Sequence, residues 1–128
     1  MKGQAGIEFL AYLSFVLILL SLFLYSSYSK QAELMEIKIK NEIREVAEGV
    51  AFEINSAVKA GDGYERRFNM RDYYKTLSDF NITIYENLIE VEFGGRSHFS
   101  KVLARRIVGN FTLEWNVIKN ENGVIYVN

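Results

Sequence analysis

The side chains able to do chemistry are few, and their spacing argues against catalysis. His98 is the sole histidine and there is no cysteine. A transition-metal site therefore lacks its usual ligands, and disulfides are excluded. Asp62, Glu65, Asp72 and Asp79 are the acids nearest to a cation-site pattern. They lack the regular spacing of a calcium loop and read better as a solvated segment. There is no glycine-rich phosphate loop and no Ser-His-Asp order. His98, close to Gly94-Gly95, reads as a surface loop residue. The pairs Arg66-Arg67 and Arg105-Arg106 read as solvated charge, and Tyr64, Tyr73, Tyr74 and Tyr85 as packing aromatics. The expectation is a protein that is not an enzyme and uses no cofactor or metal. Lys and Arg number 15 against 16 Asp and Glu, which lacks the basic excess of a nucleic-acid-binding domain.

One charged residue stands out by its place. Glu8 sits at the head of an apolar run, and from Phe9 to Ser29 there are 21 residues without a formal charge. That length crosses a hydrocarbon core as a helix. Serines are tolerated there because a hydroxyl bonds back to its own helix. A secretory signal peptide would have a longer basic leader, a shorter apolar core and a small-residue cleavage site after it. An ordinary single-span anchor explains the apolar run but not Glu8, whose carboxylate is costly there unless it reaches the interface or finds a partner.

Lys2-Gly3-Gln4, then Glu8, then a continuous apolar helix resembles the archaeal type IV pilin-like proteins with class III signal peptides. The resemblance implies that a prepilin peptidase cuts between Gly3 and Gln4, on the cytoplasmic side, leaving Glu8 as the fifth residue of the mature chain. Gly6 stands where serine is common in that family, and the leader of three residues is short. The cut would create an ammonium at Gln4, one helical turn from Glu8. The carboxylate can neutralise that ammonium in its own chain or in a neighbour, and among packed apolar helices such pairing counts for more than in water. The partners implied are the prepilin peptidase, other pilin subunits, the assembly platform with its ATPase, and the membrane. No specific nucleic acid is expected. Lysines flank both ends of the apolar run, so charge alone leaves orientation ambiguous. A cytoplasmic N-terminus and an extracellular C-terminal domain follow from the resemblance. Asn81-Ile82-Thr83 and Asn110-Phe111-Thr112 match the N-glycosylation pattern, and pilins of this kind can carry such glycans.

The elements that position these residues follow from periodicity. Leu34, Ile37, Ile43, Val46, Ala47, Val50, Ala51, Ile54, Ala57 and Val58 recur at helical spacing, with charges largely between them. Gly61-Asp62-Gly63 stops that helix. No proline interrupts it, so one nearly continuous helix from about Gln4 to about Ala60 is expected, roughly 85 Å long. A hinge near residues 26–29 is the alternative. Beyond it, Ile82 and Ile84, then Ile89, Val91 and Phe93, then Phe111, Leu113, Trp115 and Val117 alternate with polar residues as strands do. Glu86-Asn87 and Asn122-Gly123 mark hairpin turns. A short strand is expected around Arg67–Met70. Residues 98–108 fit a helix or an edge strand, with the strand preferred. The fold expected is α+β: a long N-terminal helix against a small C-terminal antiparallel β-sheet. Residues 1–3 form a leader, 4–29 the membrane or filament-core helix, 30–60 its amphipathic continuation and 61–128 the sheet domain.

These features imply a filament subunit held by its apolar helix, its outer domain a candidate for adhesion. A priming or capping pilin fits the same sequence. So does a single-span membrane protein with an outward binding domain, which predicts no cut after Gly3.

Overall fold

The computed structural model describes residues 2–128. A single helix, α1, runs from Lys2 to Ala60. Gly61 and Gly63 end it with φ of +86° and +87°, a left-handed conformation that favours glycine. Lys59 places a cation in the last turn, where the helix dipole favours one. The chain divides into two compact units at Ile37/Lys38.

The first unit is helical throughout its described residues. The second holds the rest of α1 and seven strands: β1 Glu65–Asn69, β2 Asn81–Ile84, β3 Leu88–Phe93, β4 Arg96–Lys101, β5 Ile107–Gly109, β6 Trp115–Glu121 and β7 Val124–Val127. The fold is α+β, as expected, but the strands form two sheets. One has the order β1-β6-β7-β5 and the other β2-β3-β4. All pairings are antiparallel except β5 with β7, which is parallel.

The core is the buried face of α1 against the strands. Ile43, Val46, Val50 and Ile54 are at most 2% exposed and join Phe68, Met70, Ile89, Val91, Ile118, Ile125 and Val127 in one cluster. Full burial stabilises such side chains by about 1.5–3 kcal/mol each. Both expected hairpins form. Tyr85 N–H donates to the Leu88 carbonyl at 2.8 Å across Glu86-Asn87. Asn122 and Gly123 take φ of +54° and +83° between β6 and β7, as a tight hairpin turn requires.

Four sequence expectations are corrected. The strand read from Phe111 begins only at Trp115. The Asn116 side chain explains why: its Oδ1 accepts from Thr112 N–H at 2.7 Å, and its Nδ2 donates to the Thr112 and Glu114 carbonyls. Those backbone groups are satisfied without a ladder. The face is also inverted. Asn116, Ile118 and Asn120 are buried, whereas Trp115 is 53% exposed. Residues 98–108 are strand only in part: β4 ends at Lys101, an irregular stretch follows, and β5 begins at Ile107. His98 lies in β4 opposite Val91 rather than in a loop; Gly94 and Gly95 form the turn before it, with φ of +57° and +77°.

Candidate functional site on the N-terminal helix

Gly3, Gln4 and Glu8 lie in the first turns of α1, and all three are exposed. Gln4 and Glu8 are four residues apart, hence neighbours on one helix face. A Cβ at Gly3 or Gly6 would meet nothing within 4 Å. The described chain therefore covers neither Gly3 nor Gln4.

The following residues are apolar on every side. Ile7, Phe9, Tyr12, Phe15, Leu22, Phe23, Tyr25 and Tyr28 are each at least 60% exposed. The most apolar 18-residue window has a mean hydropathy of 2.4, and none of it is buried by the chain itself. By length and composition this helix is able to cross a membrane. A helix apolar all round is normally covered, by lipid or by other helices. Ser14 and Ser21 do not spoil it: their hydroxyls donate to the Leu10 and Leu17 carbonyls, each at 2.8 Å.

A second concentration of charge was not anticipated from the sequence. Glu42 and Glu53 are the buried acids of α1, at 7% and 0% exposure. They fasten the segment between β1 and β2 to the helix. The Glu42 carboxylate accepts from Thr76 N–H at 3.0 Å, from Leu77 N–H at 3.1 Å and from the Thr76 hydroxyl. Burial pushes its pKa up, but these hydrogen bonds together outweigh burial and hold it below the usual value. Glu53 Oε1 accepts from the Tyr73 hydroxyl at 2.8 Å, and Arg66 Nε lies 3.5 Å from Oε2. Burial raises the Tyr73 hydroxyl pKa, and its bond to Glu53 raises it further. Arg66 stays exposed but faces Glu53, and its own pKa is raised, chiefly by the Glu53 charge. The signal for both acids was spacing: Glu42, Val46, Gly49, Glu53 and Ala57 fall on one helix face.

The remaining residues are dispersed. Asp62 caps the β6–β7 turn by accepting from Asn122 N–H at 2.9 Å, and Glu65 pairs with Lys119 at 3.8 Å. Among the described residues, no three His, Cys, Asp or Glu side chains group to hold a metal. Arg67 lies over the Trp115 ring at 4.5 Å. Tyr73 and Tyr74 pack on the core, whereas Tyr85 is 48% exposed. Asn81 opens the edge strand β2, and both Asn81 and Thr83 are exposed. Asn110 is exposed, but the Thr112 hydroxyl of its motif donates to the Trp115 carbonyl at 2.9 Å.

Comparison with protein-family models, with curated proteins and with solved structures found no match.

Proposed function

We propose that this chain is a structural subunit of an archaeal type IV pilus-like filament. A prepilin peptidase removes residues 1–3. The mature chain waits as a single-pass membrane protein, with its N-terminus cytoplasmic and its β-domain outside. An assembly platform and its ATPase then move it into a cell-surface filament. The observation that carries this reading is the exposed apolar helix with Glu8 at its head, one turn beyond Gln4. Transfer from lipid to a bundle of like helices keeps that surface out of water, where each large side chain would cost about 1.5–3 kcal/mol. Glu8 supplies a carboxylate for the new ammonium of Gln4, in its own chain or in a neighbour. The β-domain forms the outer surface and is available for adhesion.

The test is the mass of the mature protein from its native host. A chain beginning at Gln4 supports the reading, and retention of Met1-Lys2-Gly3 overturns it. Abundance in sheared filaments then separates a bulk subunit from one that primes or caps.

A further inference from the structure

The chain is nearly neutral, with 15 Lys and Arg against 16 Asp and Glu. Besides a cavity lined by Arg105 and Arg106, one departs from that balance with cations drawn from both helix and strand. It has a volume of about 490 Å³, and its charged lining is cationic alone: Lys40 and Arg44 from α1 and Arg96 from β4, with the His98 ring beside them. Asn41 and Ser97 add polar groups, and no carboxylate lines it.

The convergence is built by the fold. Lys40 and Arg44 are four apart and share a helix face; Arg96 and His98 are two apart and share a strand face. Like charges at that helix spacing disfavour the free helix. Neither Lys40 nor Arg44 forms an ion pair among the described residues, and His98 has no hydrogen-bond partner there. Arg96 already holds an interaction within the chain. Glu36, one turn before Lys40, is engaged as well, so the unmet positive charge falls on Lys40 and Arg44.

We infer that this cavity is a binding site for a phosphate ester. A guanidinium presents a planar fork to two phosphate oxygens, and an ammonium adds a mobile point charge. His98 supplies a ring N–H donor. The buried Ile43 adds an apolar lining. The volume exceeds that of a bare phosphate, so it accommodates the ester group as well. A lipid headgroup is one source of such an ester, a choice that rests on the membrane part of the proposed function. Free phosphate shares the same chemistry.

The experiment uses the full chain, ¹⁵N-labelled, in zwitterionic detergent micelles. Dihexanoyl phosphatidylglycerol and inorganic phosphate are titrated separately. Amides 96–98 and the His98 ring nitrogens are followed by NMR. The expected result is a saturable shift with the lipid, at least about tenfold tighter than with inorganic phosphate. Lys40→Gln/Arg44→Gln should weaken it at least about tenfold. Both side chains are exposed, so the variant should keep the Ile118 and Ile125 methyl signals of the folded core. Equal affinity for inorganic phosphate upholds the site and assigns it to free phosphate. No shift with either ligand, or an unchanged response in the double variant, overturns it. Processing at Gly3 is read independently, by mass, so loss of the filament reading and loss of this site are distinguishable.

Discussion

The Tyr73 ring lies directly on the backbone of Gly49. A Cβ at that position would meet Tyr73 Cδ1 at 2.4 Å and Cε1 at 2.6 Å. Glycine inside a helix costs about 0.5–1 kcal/mol against alanine, so on propensity alone Gly49→Ala should stabilise. The ring clash costs about 1–3 kcal/mol and should win. The expected outcome is a Tm lowered by several degrees, about 4–8 °C per kcal/mol for a domain of this size. The same substitution in a Tyr73→Ala background should be neutral or stabilising, because the ring is gone. A raised Tm in the otherwise unaltered chain would show that the ring does not restrain Gly49.

Tyr73 also satisfies a buried charge. Its hydroxyl is the hydrogen-bond donor to Glu53, whose other oxygen, Oε2, has no hydrogen-bond partner. Tyr73→Phe should cost about 1–3 kcal/mol, toward the upper end because the acceptor is charged. Burial and then Glu53 raise the hydroxyl pKa above its ordinary 10.0. The folded state thus holds this proton longer than the unfolded chain. Its contribution is fully present below pH 10 and is lost as pH rises through the folded value. Urea midpoints between pH 8 and 11 should fall more steeply for the parent chain than for Tyr73→Phe. Parallel alkaline limbs would contradict the linkage.

Glu42 has the opposite sign. Hydrogen bonds from Thr76 and Leu77 lower its pKa below the ordinary 4.5, against the upward pull of burial. Its stabilisation is present above that value and is lost as pH falls through the folded one. Glu42→Gln should cost about 2–3 kcal/mol at pH 7, since hydrogen bonds to a charged group are the stronger kind. The difference between the two proteins should narrow below about pH 4. Denaturant melts from pH 7 to pH 3 measure this, and a constant gap would mean that the carboxylate charge contributes nothing.

What could be read in the sequence was whatever depends on local pattern. The helix was legible because its apolar period, its lack of proline and its Gly61-Asp62-Gly63 stop all agree. The hairpin at Asn122-Gly123 was legible because its φ values demand those residues. The face of β6 was not, because Asn116 and Asn120 look like surface residues. Asn120 earns its burial by donating to the Ala57 carbonyl at 2.8 Å and accepting from Gly123 N–H at 3.1 Å. Strand β5 was hidden because backbone proximity defines it: a Cβ at Gly109 would fall within 2 Å of the Val127 carbonyl oxygen. At the helix head, the helix expected from about Gln4 begins at Lys2 and so takes in Gly3 as well as Gln4 and Glu8. The cationic cavity needed the fold, since Lys40 and His98 are 58 residues apart.

Glu8→Ala separates what the helix does by shape from what it does by charge. Glu8 is exposed and lies inside a continuous helix, where alanine is the strongest helix former. Apolar character is retained, so membrane insertion and the cut after Gly3 should be unchanged. On the proposed cut and assembly, the ammonium of Gln4 would then enter a low-dielectric helix bundle unpaired, a state that is strongly penalised. The expected outcome is a processed, membrane-held subunit that is absent from sheared filaments. Mass spectrometry of the membrane fraction and blotting of the sheared fraction measure the two halves of that outcome. Normal filament yield from Glu8→Ala would remove Glu8 from assembly and leave the apolar surface alone to account for it.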